Sequence, residues 1–442
     1  MTKRWIWILL LGLGGCTPAP APRPAQPPPA APAPAPAPPP APAPAPTYQL
    51  DAEPAIDVGL AWDLDSLTLA PDRRVPIRFT SGEVIADDGA GAAVVVRRAS
   101  AGFEVLRHKS LAVRTAERRD TLWVGDPLSV EQRIRWNGKS WRGQLKVFVN
   151  PRGKLTLAAR VPLETYLLGV VPYEIGALGE DVIEAGRAQA IAARSYTLFY
   201  RGRRAEEGFD LYGTVEDQVF GPVEGERPIA TRCVESTRGR AALSEGFPIR
   251  ANYGSTCGGI TAEVWEGWPV APLAYLESRA DRDGGTDWCA SSPHHRWREE
   301  WKPSELASNL ATYAPTQGVP LPRGGVGEIV DVQVTERSRS GRVWRLSIRT
   351  TTGEITVPGY AVRWVLRRAG NPKAILRSNL FKIDVRRDRA SGRALAIVAS
   401  GAGNGHGVGL CQTGALGMAR GGRKGEAILE HYYSGASVER LY

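Results

Sequence analysis

The sequence has little with which to span a membrane. Its N-terminal apolar run, Trp5 to Leu13, is well short of the roughly 20 residues a helix needs to cross a bilayer. No internal repeat is present, which excludes a solenoid or propeller built from copies of one unit. Cysteine is scarce, at five residues in 442. Basic residues exceed acidic ones, 56 against 46, yet runs such as Arg201-Gly202-Arg203-Arg204 lack the interleaved aromatics of a nucleic-acid groove. Nucleic acid is therefore not an expected partner, and the scattered charge fits either an anionic polymer or a solvated basic face.

What the N-terminus does contain is an export address. Lys3 and Arg4 precede the apolar run, and Leu13-Gly14-Gly15-Cys16 closes it with small residues before a cysteine. Residues 1–16 thus read as a bacterial lipoprotein signal peptide, cut ahead of Cys16 and replaced there by a lipid anchor. Loss of residues 1–15 removes two positive charges and leaves the formal +10 at about +8. Thr17 follows Cys16 where an inner-membrane retention signal would place Asp, which favours the outer membrane in a two-membrane cell. From Thr17 to Pro46 every residue except Thr17, Arg23 and Gln26 is Pro or Ala. At roughly 3.1 Å per residue, this linker (17–47) could reach on the order of 90 Å from the membrane; a spacer with no length requirement fits the composition equally.

The remainder is long enough for a substantial core. Residues 48–155 read as a β-rich N-terminal part, with VPIRF, AAVVV, TLWVG and GQLKVFV separated by Gly, Asp, Asn and Pro turns. Apolar and polar residues alternate from Arg142 to Val149 before the turn Asn150-Pro151-Arg152-Gly153, a hairpin pattern. Residues 156–442 read as the core proper. Its clearest helix is expected over about Asp181–Tyr200, lined by the small residues Ala185, Ala188, Ala190, Ala192 and Ala193, which permit burial at the centre. A β-rich stretch is inserted near 320–385, with strands over Glu328 to Val357, and a last helix is expected from about Glu426 to Tyr433. The expected fold class is α+β, strands predominating around a buried helix.

Three blocks carry a resemblance. They are VPLETYLLGVVPYEIG (Val161–Gly176) with EAGRAQAIAARSYTL (Glu184–Leu198), then YGSTCGGIT (Tyr253–Thr261), then GHGVGLCQTGALGMA (Gly405–Ala419). Together and in this order they are similar to the stage II sporulation protein D/amidase-enhancer (SpoIID/LytB) family. The resemblance implies a peptidoglycan partner and an activity like that of lytic transglycosylases, which cleave the bond between N-acetylmuramic acid and N-acetylglucosamine. It maps the catalytic carboxylate onto Glu174. The family name also covers non-catalytic enhancers of an N-acetylmuramoyl-L-alanine amidase, and a wall-binding module is a third alternative.

The chemistry suits a glutamate in an apolar setting. Protonating a glycosidic leaving group calls for a carboxylic acid that keeps its proton near neutral pH, and desolvation raises a Glu pKa. A lytic transglycosylase needs one such group, since the muramyl 6-hydroxyl attacks within the substrate to give a 1,6-anhydro sugar. Glu174 could alternatively be an N-terminal helix charge favoured by the macrodipole, while Glu164, Glu180 and Glu184 read as surface or helix-start charges. Gln189, Arg194, Tyr196, Gln218, Ser255, Thr256, His406 and Gln412 are candidates for substrate contact or for structural hydrogen bonds within the same Gly-rich loops.

Some family members bind zinc in a segment similar to Asp210–Phe220, but here Tyr212, Glu216 and Asp217 stand where the ligands would be, so no metal is expected there and no cofactor is implied. With Cys16 set aside, Cys233, Cys257, Cys289 and Cys411 allow three pairings. The resemblance implies a Cys257–Cys289 disulfide. A Cys257 nucleophile served by His406 lacks an orienting third group, and the adjacent His294 and His295 read as surface residues.

Overall fold

The computed structural model describes residues 48–442 apart from 83, 89–91, 101, 108–110, 118–119 and 128. The expected signal peptide, Cys16 and the whole tether (17–47) lie outside the described residues. The hairpin foreseen from alternation is present. Gln144–Val149 pairs antiparallel with Leu155–Pro162, Gln144 opposite Arg160 and Val149 opposite Leu155. Gly153 turns the chain at φ +78°, which glycine adopts without a Cβ penalty, and the Asn150 side chain accepts from Lys154 N–H at 3.0 Å. Leu155–Pro162 pairs on its other side with Ala55–Leu64 and is buried over its first five residues, so both of its faces are covered. This pair lies within a seven-stranded sheet, and a six-stranded sheet carries most of the remaining N-terminal strands. VPIRF, the end of AAVVV, and TLWV all form strands.

Directly after this sheet the chain enters helix α1 (Leu163–Ile175), then a 3-10 turn at Glu180–Val182, then α2 (Ile183–Tyr200). Two further helices, α3 (Gln412–Arg420) and α4 (Gly425–Tyr432), pack against α2 from the far end of the chain. The expected central helix is thus α2, and its small residues do set its position. A Cβ on Gly186 would meet Cys233 Sγ of helix Pro228–Ser236 at 2.5 Å. Helix α1 has no apolar stripe for the eye to find, because it is buried nearly all round. Its presence also corrects one expectation. Glu174 stands in the last turn of α1, not at the start of α2, so no N-terminal macrodipole favours its charge.

Strands outweigh helices, 36% to 26%, in a mixed α+β fold. A second core spans Trp297 to Ala399, wider than the β-rich stretch expected near 320–385. Ile329–Arg337, Val343–Thr350 and Gly353–Pro358 make one three-stranded sheet, Arg296–Trp301, Ala394–Ala402 and Phe381–Arg387 another. Between them Trp301, Leu346, Ile348, Ile355 and Ile397 are fully buried in a cluster distinct from the main core. Buried Arg342 ties the insert to the YGSTCGGIT loop by donating to the carbonyls of Cys257 and Ile260, each at 3.0 Å.

Candidate active site

The end of α1 presents Glu174 as a part-buried side chain. Its Oε1 accepts the backbone N–H of Val219 at 2.7 Å, and the Gln412 amide also hydrogen-bonds to the carboxyl. Burial pushes the pKa up to about 7, against the opposing pull of these two donors. The group therefore holds its proton near neutral pH, yet its ionised form has two donors waiting.

Behind Glu174 lies a polar network closed off from water. Gln218 is fully buried. Its Oε1 accepts from Thr197 Oγ1 at 2.7 Å and Tyr166 OH at 3.2 Å, and its Nε2 donates to Tyr253 OH at 2.8 Å and Ala193 O at 3.3 Å. An amide has no capacity beyond this, so the expected sugar contact is replaced by a structural role. The network holds the phenols of Tyr166 and Tyr253 near Glu174, and desolvation, with the Glu174 charge second, pushes both phenols well above their ordinary range.

Arg194 is corrected in the same direction. Its side chain is wholly buried and forks onto Glu164, so it cannot meet a polymer, and Glu164 is no surface charge. Tyr196 is buried and stacks against Tyr200 and Tyr253, with ring centroids at 4.6 and 6.2 Å. Gln189, fully buried, accepts from Gln412 Nε2 at 3.4 Å while its own Nε2 has no partner among the described residues, so hydrogen bonds link Gln189 of α2 through Gln412 at the start of α3 to Glu174.

The two Gly-rich loops come together. Tyr253-Gly254 pairs in parallel with Leu410-Cys411, and the Ser255 carbonyl accepts both the N–H and the hydroxyl of Thr413 at 3.0 and 2.9 Å. Ser255 is half-buried; Thr256 is buried and its side chain is directed at the Cys289 sulfur. His406 accepts the Val408 N–H on Nδ1 at 3.0 Å and lies against Trp268, ring centroids 4.8 Å apart. Desolvation, with the nearby Arg363 charge, pushes its pKa down to about 3, so the ring is neutral. A cavity of about 380 Å³ opens at the end of α1 between Tyr173, Gly176, Ala177, Gly225 and Arg227.

Sequence reasoning passed over Tyr166, Tyr253 and the Val219 N–H. The first two stand within or beside the quoted blocks, while a backbone donor leaves no trace in a sequence. In the Asp210–Phe220 segment the Asp217 side chain is buried, accepts the Tyr212 N–H at 3.0 Å and pairs with Arg203 and Arg204 at 3.1 and 3.2 Å. That ion-pair cluster holds the loop. The four described cysteines are free thiols. Cys257 and Cys289 do meet, but unbonded, and burial pushes the Cys257 thiol well above its usual range, which weighs against a nucleophile. Of the two adjacent histidines, His295 is an Asp287 partner at 2.8 Å and not a free surface group.

Comparison with known proteins follows this geometry. Residues 151–243, which hold α1, α2 and the Gln218 loop, match the stage II sporulation protein family, and residues 285–409 match a domain of unknown function (DUF8618). An uncharacterised protein of Brachyspira hyodysenteriae is 26% identical over 306 residues, covering 68% of this chain and 73% of its own. The stage II sporulation protein D of Bacillus amyloliquefaciens is 27% identical over 293 residues, 63% of this chain and 74% of its own. The amidase enhancer of Bacillus subtilis is 23% identical over 298 residues, 62% of this chain but 40% of the enhancer.

Proposed function

We propose that this chain, a member of the SpoIID/LytB family, is a lipid-anchored envelope protein that cuts peptidoglycan glycan strands as a lytic transglycosylase, with Glu174 as its single acid and base. The observation that carries the reading is the environment of that carboxyl, desolvated enough to titrate near 7 and met by two donors. Glu174 gives its proton to the glycosidic oxygen as the C1–O bond breaks. The resulting carboxylate is received by the Val219 N–H and the Gln412 amide, and then takes the proton of the muramyl 6-hydroxyl as that oxygen bonds C1. The cycle returns Glu174 to its starting state. Neutral His406 and part-buried Ser255 stand on the Gly-rich loops that also carry Gln412, and in this reading they are the polar groups offered to sugar. The cavity lined by Tyr173, Gly176 and Arg227 lies next along the chain from Glu174, though that carboxyl does not line it. Cys16 would carry the lipid and the Pro/Ala tether the reach, facing the periplasm from the outer membrane in a two-membrane cell.

The test is product analysis by mass spectrometry of sacculi digested with the purified protein. Release of 1,6-anhydromuropeptides by wild type and not by Glu174→Gln supports the reading; equal release by both removes it. The amidase-enhancer relative favours a second reading, a non-catalytic stimulator of an N-acetylmuramoyl-L-alanine amidase. That reading predicts no anhydro product alone and faster peptide release when an amidase is added.

A further inference from the structure

A buried knot of ligand-type side chains lies behind the wall that carries Gln412. Cys257 in the STCGG turn, Asp281, Cys289 and Cys411 come from separate stretches of chain, yet their ligand atoms all lie within 4.8 Å of one another. Their exposures are 2%, 0%, 0% and 2%. Cys257 Sγ is 3.8 Å from Cys289 Sγ and 3.0 Å from Asp281 Oδ2. A disulfide brings its sulfurs to about 2.05 Å. A tetrahedral zinc, with Zn–S bonds of about 2.3 Å, holds its sulfurs about 3.8 Å apart. The observed sulfur spacing excludes a disulfide and matches the second arrangement as well as it does a contact between two free thiols.

We propose that Cys257, Cys289, Cys411 and Asp281 form a closed structural site for a thiophilic divalent cation, zinc. Three sulfurs and one carboxylate oxygen make the full set of four donors, and soft thiolates select zinc over magnesium or calcium. On binding, each sulfur that still carries a proton releases it to solvent as it bonds the metal, and no oxidant is needed. Burial with no open position makes the site structural rather than catalytic.

The surroundings are those of a metal's outer shell. The other oxygen of Asp281 accepts from Tyr432 OH at 2.8 Å, with His431 Nε2 at 3.3 Å, which fixes the carboxylate's orientation. Cys411 Sγ accepts two backbone N–H groups, from Cys257 at 3.2 Å and from Gly414 in the first turn of α3 at 3.3 Å. Amides aimed at sulfur favour a thiolate. Three thiolates and a carboxylate exceed the charge of a dication, and the buried guanidinium of Arg342, bonded to the Cys257 carbonyl, supplies a fixed positive charge alongside. A Cys257–Cys289 disulfide would use two of the three sulfurs and leave Cys411 and Asp281 idle. Cys233 stands apart, its thiol directed at Ile183 O. Because Cys411 immediately precedes Gln412, and Cys257 follows Ser255-Thr256, the cation would pin both loops that face Glu174.

The experiment is metal analysis of the purified full-length chain, prepared without chelator, alongside residue-level alkylation under denaturing, non-reducing conditions. One zinc per chain, with Cys257, Cys289 and Cys411 all alkylated once the metal is stripped, is the expected result. A peptide cross-linked through any two of these cysteines and no zinc would overturn it. Cobalt uptake by the stripped wild-type protein, read by thiolate-to-cobalt charge-transfer absorption, does not depend on any variant folding; cobalt bound without that absorption also overturns the site. Cys411→Ser should lose most of the zinc, while Cys233→Ser, outside the cluster, should retain it.

Discussion

Arg194 grips Glu164 with both arms of its guanidinium, Nε to Oε1 at 2.9 Å and Nη2 to Oε2 at 2.7 Å, and neither partner reaches solvent to any useful extent. The Gly239 N–H and the Tyr442 hydroxyl also donate to this carboxylate, so the pair ties the first helix, the central helix and the extreme C-terminus together. Burial alone would raise the Glu164 pKa, but the Arg194 charge and these hydrogen bonds outweigh it and hold the group below its usual value.

Breaking the pair from one side leaves a buried unpaired charge. Arg194→Met is expected to cost on the order of 3–5 kcal/mol at pH 7 by denaturant unfolding. The pH dependence has a definite sign. In wild type the lowered pKa contributes stability present above the unfolded value and lost as pH falls through the folded value. In the variant Glu164 keeps the Gly239 and Tyr442 donors but loses its counter-charge and protonates more readily, so the gap between the two proteins should narrow toward pH 4. A gap independent of pH would show that the carboxylate is not the group responsible.

Glu174 has the opposite linkage. Its folded pKa of about 7 lies above that of the unfolded chain, so the native state binds the extra proton and loses stability as pH rises from the unfolded value through 7. Glu174→Gln should therefore be inactive and also more heat-stable than wild type at pH 8, with the difference in Tm shrinking toward pH 5. Cleavage by wild type should fall above about pH 7 as the acid deprotonates. A variant no more stable at pH 8 than at pH 5, relative to wild type, would contradict the desolvated setting.

How much of this was written in the sequence depends on the element. Period-two alternation in Gln144–Val149 and the Asn-Pro-Arg-Gly turn announce a hairpin, because one residue's side and the next residue's side face different surroundings. Helix α2 was visible through its alanines and its flanking glycine. Helix α1 was not, since a helix buried on every side loses the contrast that periodicity reads, and Pro172 within it points away from helix. Glu174 was found through resemblance to a family motif; its backbone partner Val219 could not be, because a main-chain donor is the same for every residue type. Arg194 and Gln218 look like binding groups in one dimension, and only the three-dimensional partners Glu164 and Tyr253 reveal them as internal.

Gln412 tunes the acid without being it. Its hydrogen bond favours the ionised carboxyl, so Gln412→Leu should push the Glu174 pKa further up and move the alkaline limb of the pH–rate profile by about one unit, given the roughly 1.5–3 kcal/mol of a hydrogen bond to charge. A drop in rate at every pH with the limb unmoved would indicate lost packing instead.

Gln218 offers the sharpest separation of structural from substrate-binding roles. Its amide satisfies the hydroxyls of Thr197, Tyr166 and Tyr253 and the carbonyl of Ala193 in a largely buried site. Gln218→Leu fills nearly the same volume but strands these groups at about 1–3 kcal/mol apiece, with partial relief wherever they can pair with one another. The expected outcome is a fall in Tm of well over 5 °C, since roughly 1 kcal/mol shifts the Tm of a protein this size by a few degrees. Below that Tm, KM for glycan should stay near wild type, because the side chain touches no sugar. Calorimetry and steady-state kinetics on the same preparation decide the matter: unchanged Tm with a large rise in KM would return Gln218 to the substrate-binding surface.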